Sequence, residues 1–315
     1  MTKFASTALL ALVSLVPVHR AHSQAPGDGE TPDPFKISVN LNLVVLPVTV
    51  RDRKGGFATD LSQENFEVFE DGVRQSIRLF RHEDIPVTVG LVVDHSGSMH
   101  NKISDVLTAA QVFVGTSNPE DQMFVVNFNE RVTLGLPPAI PFTDRVGEIE
   151  SAVFNAPVTG ETALYDALGV ALDRLKTGNR EKKVLVVISD GGDNASLATL
   201  PQILKKAEES SAIMYTIGIF DQDDPDQNAG VLRRLAKETG GEAFFPAQFG
   251  EAVAICKDIA RDIRHQYTLG YVSGNTKSGG QRTVRVVAKS PGKDLMVRTR
   301  PGYLAETPAE KEAAK

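Results

Sequence analysis

With 315 residues, 41% of them apolar and 23% charged, the chain is long and apolar enough to bury the cores of about two domains, which excludes a wholly disordered polymer. Its net charge of -6 excludes non-specific nucleic-acid binding, because no basic surplus exists to neutralise phosphates. The single cysteine excludes an internal disulfide. Cys256 shares a helical stripe with Ala252, Ile259, Ala260 and Ile263, the pattern of a core thiol.

In chain order, Lys3 precedes an apolar segment at 4–18, and Ala21, His22 and Ser23 supply small residues at a cleavage point. Residues 1–23 therefore read as a signal peptide cleaved after Ser23. That segment is short for a membrane span, and no later stretch approaches about 20 apolar residues. The mature chain is thus expected to be exported, periplasmic or secreted, without a membrane span. No lipobox-type cysteine stands directly after the signal region, so a lipid anchor is not expected.

Residues 24–36 are rich in Pro, Gly and acids and are predicted to be a disordered spacer. From Ile37 the apolar residues alternate: Ile37, Val39, Leu41, Leu43 and Val45, as on a strand buried on one face. Lys54 to Gly56 marks a turn. A short strand at 66–69 is followed by Asp71-Gly72, a hairpin signal before Ile77 and Leu79. Residues 37–85 form the first part of a β-rich domain.

The rhythm changes at Val87. Apolar runs at 87–93, 123–128, 184–189 and 213–220 lack alternation, as strands covered on both faces require. Between them Ile103, Val106, Leu107, Ala110 and Phe113 follow helical spacing, as do Leu164, Ala167, Leu168, Ala171 and Leu172. Further helices are predicted at 200–210, 229–238 and 251–264, with Gly240-Gly241 capping one of them. Residues 86–264 are accordingly an α/β domain, a doubly wound, mostly parallel sheet.

After His265 strands return at 266–272, 283–288 and 295–299. So few strands cannot form a stable sheet alone. They are expected to pair with the N-terminal strands, making residues 265–304 the second part of a smaller, discontinuous antiparallel β domain. A charged, Ala-rich tail, 305–315, closes the chain as a disordered segment.

The chemistry gathers where the first α/β strand ends. Asp94, Ser96 and Ser98 place oxygen-bearing side chains at every second residue after a buried run. Thr162, opening a helix, and Asp190, ending a later strand, offer matching groups. In open α/β sheets the carboxyl ends of the strands face the ligand crevice, so Asp94 and Asp190 are expected on one edge. Two carboxylates there repel unless a cation lies between them, and hydroxyls are neutral donors of the kind magnesium accepts.

These residues, in DHSGSM, TGET and SDGGDN, resemble the metal ion-dependent adhesion site of von Willebrand factor type A domains over residues 87–263. The flanks, with VTVRDRKG, NFEVFEDGV, YTLGY and RPGY, resemble exported bacterial proteins of the related type. The resemblance implies a divalent cation, Mg2+ before Mn2+ or Ca2+, held by Asp94, Ser96, Ser98, Thr162 and Asp190, directly or through water. It further implies an open coordination position that captures a carboxylate of a protein or other macromolecular ligand, without bond breaking.

Other readings share these residues. Ser98 fits an N-cap for the helix holding Ile103, and Asp190 a turn residue before Gly191-Gly192. Asp193 is placed outside the site. His95 and His100 lack the HExxH spacing of a zinc site and read as solvent-facing or capping residues. The acidic run 221–228 lacks the glycine and glutamate of an EF-hand and reads as a solvated loop. HSGS is not a GxSxG nucleophile elbow, and no phosphate-cradling glycine motif occurs. A metal-dependent, phosphoesterase-like hydrolase and a structural module with a vestigial metal site remain as alternatives.

Overall fold

The computed structural model describes residues 43–220, 227–275, 277 and 279–305. The expected signal peptide, the spacer, the start of the first strand, the tail beyond residue 305 and residues 221–226 of the acidic run lie outside them.

The chain enters on β1 (Leu43–Asp52), then β2 (Phe66–Glu70), β3 (Val73–Gln75) and β4 (Ile77–Arg81). The α/β part begins with β5 (Val87–Asp94), all eight residues of which are buried. It continues through α1 (Ile103–Thr116), β6 (Gln122–Phe128), β7 (Val132–Leu134), α2 (Val146–Phe154), α3 (Leu164–Lys176) and β8 (Lys182–Ser189). Next come α4 (Leu200–Ser210), β9 (Ile213–Gly218), α5 (Ala229–Thr239), β10 (Ala243–Phe244) and α6 (Phe249–Arg264). The chain closes with β11 (Tyr267–Val272), β12 (Gln281–Ala288), β13 (Leu295–Arg298) and β14 (Gly302–Leu304).

Six strands form one sheet in the order β10-β9-β8-β5-β6-β7, parallel except for the edge strand β7. Both faces of β5 are buried because helices associate in two sets, α6 with α1 and α2, and α3 with α4, which also meets α5. Packing at the centre is close enough to require glycine. A Cβ on Gly90 would come within 2.5 Å of Phe124 and 2.6 Å of Leu185 from the two neighbouring strands. Cys256 is buried in this core, and burial pushes its thiol up to about 12, so it packs as an inert side chain.

The flanks interleave. One four-stranded sheet has the order β13-β1-β11-β4 and another β14-β12-β2-β3, so each mixes strands from both ends of the chain. Register is direct: Leu46 pairs with Leu269, and Val68 with Val286. These sheets enclose a second core in which Phe66 and Tyr267 lie with ring centres 5.0 Å apart. The Asp71-Gly72 turn is present, with φ of 48° and 80°, but its partner strand is β3. Ile77 and Leu79 belong instead to β4, which crosses to the other sheet and pairs with β11.

A buried carboxylate ties the two parts together. Asp262 of α6, 1% exposed, accepts the Thr49 hydroxyl of β1 at 2.6 Å and the Tyr215 hydroxyl of β9 at 2.8 Å. It also pairs with Arg298 of β13.

Candidate functional site

β5 lies where the strand order reverses, with β6 on one side and β8 on the other, so the crevice opens beyond its carboxyl end. Register then decides what meets there. Val93 pairs with Ile188, which sets Asp94 level with Ser189 and leaves Asp190 one residue beyond. The Ser189 hydroxyl donates to Asp94 Oδ2 at 2.6 Å, and the Ser96 N–H donates to Asp94 Oδ1 at 2.8 Å.

The chain after Asp94 turns through a short 3-10 segment, Gly97–Met99. This turn brings the Ser96 and Ser98 hydroxyls within 3.1 Å of each other, and the Ser98 hydroxyl donates to Asp190 Oδ2 at 2.6 Å. Ser98 is therefore not the cap of α1, whose N-cap position is Lys102. Asp190 does close a turn, accepting the Gly192 N–H on Oδ1 at 3.0 Å, while its other oxygen faces Ser98.

Thr162 arrives on a third loop, fastened by backbone bonds. The Gly97 N–H donates to the Gly160 carbonyl at 3.1 Å, and the Thr159 N–H to the His95 carbonyl at 2.9 Å. On its other side Thr162 donates its N–H to Asn194 Oδ1 at 2.8 Å, and its carbonyl accepts the Asn194 and Ala195 N–H groups. Gly160 is needed in this loop: its φ is +84°, and a Cβ there would collide with Glu130. Four predicted residues, Asp94, Ser96, Ser98 and Asp190, thus form one hydrogen-bonded chain, and Thr162, 7% exposed, is bound into the same edge through its backbone.

Asp193 is engaged by neighbouring loop groups. Its Oδ1 accepts the Tyr165 N–H and the Ser196 hydroxyl, which shapes the loop after Asp190. His95 departs from expectation. It is 1% exposed, with Nε2 3.1 Å from Asn127 Oδ1, because its own backbone N–H bonds the Phe128 carbonyl and continues the strand into the interior. His100 is exposed. Ser189 was not singled out from sequence. Its only signal is its place directly before Asp190 at the end of an apolar run.

Burial dominates the electrostatics. It pushes the Asp94 carboxyl up to about 6; the hydrogen bonds from Ser189 and Ser96 oppose this, and the charge of Asp190 adds to it. Asp94 and Asp190, both buried, share one edge, and the charge of each disfavours the other's. A divalent cation fits this donor set, two carboxylates completed by hydroxyls, all hard oxygens. Among the described residues no group of three or more His, Cys, Asp or Glu side chains forms a metal site, so any cation here would rest on hydroxyls as well.

No curated protein matches the chain. Solved structures of similar fold include a von Willebrand factor type A protein from Catenulispora acidiphila, with a TM-score of 0.52 and 14% identity over 87% of this chain and 77% of that one. An aerotolerance-related membrane protein from Bacteroides fragilis gives 0.46 and 16%, over 56% of this chain and 98% of that one. Proximal thread matrix protein 1 from the mussel byssus, with a zinc-occupied MIDAS motif, gives 0.48 and 17%, over 62% and 49%. At 14% identity the likeness to the Catenulispora acidiphila protein is one of fold. No helix among the described residues is long and apolar enough to cross a membrane. Residues 89–192 match the family model of the von Willebrand factor type A domain, and the chain carries such a domain with antiparallel β elements flanking it.

Proposed function

We propose that the protein is an exported, non-enzymatic binding protein in which Asp94, Ser96, Ser98, Thr162 and Asp190 hold a divalent cation, Mg2+ before Mn2+ or Ca2+. Its ligand is an acidic residue of a protein or other macromolecule. The observation that carries this reading is the hydrogen-bonded chain running from Asp94 through Ser96 and Ser98 to Asp190, with the last link, hydroxyl to carboxylate, at 2.6 Å.

When bound, the cation supplies a positive centre that accepts an outside carboxylate. The protein's residues set how much charge is left for that ligand. Asp94 and Asp190 together would balance a dication, so attraction for an outside carboxylate requires that Ser96, Ser98 and Thr162 supply neutral oxygens directly while one of the two carboxylates stands off behind water, leaving the ion under-neutralised. The Ser189 hydroxyl and the Ser96 N–H hold Asp94 in one orientation before any ligand arrives. Preorganisation of this kind lowers the cost of binding.

Calorimetric titration of Mg2+, Mn2+ and Ca2+ into the chain and its Asp94→Ala variant tests the cation. Pull-down with Mg2+ and with chelator then tests the ligand; partners that stay bound after chelation would refute the cation-dependent mechanism. The hydrolase alternative is separated by assaying p-nitrophenyl phosphate with Mg2+ or Mn2+. Turnover that Asp94→Ala abolishes would overturn the non-enzymatic reading.

A further inference from the structure

A second concavity, of about 570 Å³, lies between α5 with the β10 segment and strands β12 and β13. Its lining carries five cationic side chains, Arg233, Lys237, Arg285, Arg298 and Arg300, against one carboxylate, Glu242. The whole chain has a net charge of -6, so this excess is not a consequence of composition.

Two of the five are committed to the fold. Arg298 pairs with Asp262 and, at 3.3 Å, with Glu242, and donates to the Gly240 carbonyl. Arg300 donates to Ser211 Oγ at 3.3 Å and to the Glu208 carbonyl at 3.1 Å. The other three stand on two walls. Arg233 and Lys237 are one turn apart on α5; Arg285 reaches the lining only from the strand β12, alternating with buried Val284 and Val286, with its guanidinium turned over Phe69 of β2; among the described residues none of the three is hydrogen-bonded to a carboxylate. Glu67, the acid whose charge Arg285 feels, is hydrogen-bonded at 2.9 Å to Lys289.

The two guanidinium groups are nonetheless placed. Arg233 lies 4.4 Å from the centre of the Phe245 ring and Arg285 4.1 Å from that of Phe69, contacts that hold each fork against a rigid surface. The last turn of α5 tolerates Lys237 through the helix dipole, but that does not account for the arginines. Like charges lining one concavity repel unless a counter-charge enters, and guanidinium forks match the oxygens of phosphate and carboxylate. Phe245, Val297 and Pro301 add apolar lining. The volume is that of a small-molecule site.

We propose that this concavity binds a small organic oxyanion, its phosphate or carboxylate held by Arg233 and Lys237 and its apolar body against Val297 and Pro301. The site is independent of the Asp94 edge and takes ligand whether or not a cation is bound there.

Calorimetry on the full chain at low salt, with inorganic phosphate, phenyl phosphate and benzoate as probes, tests it. The expected result is saturable binding in which phenyl phosphate or benzoate exceeds inorganic phosphate by about threefold or more, the better of the two identifying the head group. Arg233→Gln and Lys237→Gln should each weaken that binding about three- to tenfold, with circular dichroism unchanged, and Asp94→Ala should leave it intact. No saturation by any probe at about 10 mM, or binding that both glutamine variants leave unchanged, would overturn the proposal.

Discussion

The two cores of this molecule are built by opposite means. In the α/β part the central strands β5, β6, β8 and β9 are buried on both faces, and β5 reaches β6, and β8 reaches β9, through a single helix, so position along the chain and position in the sheet stay related. In the flanking part β1 finds β11 and β2 finds β12, partners more than 200 residues away. The first arrangement presents a functional edge on a rigid base. The second depends on the first being in place, because α6 and Asp262 hold its two halves together.

The largest expected break is at that junction. Asp262→Ala leaves Arg298 without its buried partner and removes the acceptor of the Thr49 and Tyr215 hydroxyls, a loss of about 3–5 kcal/mol. Urea unfolding should then show two transitions, the flanking sheets separating first, where the parent shows one. Divalent cation sharpens the contrast from the other side. Mg2+ at about 100 times its Kd should stabilise the α/β part by about 2.7 kcal/mol, and Asp94→Ala should abolish that gain in thermal unfolding.

Smaller effects probe each core separately. The Tyr267 hydroxyl accepts the Leu61 N–H at 3.1 Å and donates to the Ala58 carbonyl at 2.8 Å, so Tyr267→Phe should cost the flanking part about 1–3 kcal/mol without altering cation binding. The least effect is expected at Lys182, at the start of β8, where burial lowers the ammonium to about 8 while Asp84 and Glu181 offset part of the cost. The folded chain then binds fewer protons here than the unfolded chain between pH 8 and 10.5. Stability contributed by this group rises with pH across that window, and Lys182→Met should flatten the slope in urea titrations at several alkaline pH values.

What was legible in the sequence follows the same division. The runs that became β5 and β8 announce themselves by unbroken apolar character, and α3 by its spacing, since burial on both faces or on one stripe leaves a local pattern. α2 did not. Its buried Ile149, Ala152 and Val153 fall within nine residues that begin without a side-chain cap. β4 was assigned to the hairpin beginning at Asp71-Gly72 because the turn is local, whereas the crossing to β11 is set by residues far along the chain.

At the site the same limit applies. Asp94, Ser96 and Ser98 could be read from one stretch, and Asp190 from the end of another, because strand ends are marked by where apolar runs stop. Ser189 and the buried position of His95 could not, since each depends on which strand lies alongside.

The interleaving of the flanks bears on how the chain reaches its final state. Strand β1 emerges early in synthesis, yet its neighbour across the ladder, β11, is not made until more than 200 further residues have been added. For that interval its ladder groups have no native acceptor, and the α/β part is complete before they gain one. Closure of such a distant pairing is slow, so the newborn N-terminal segment is the portion of this protein most in need of a holding chaperone.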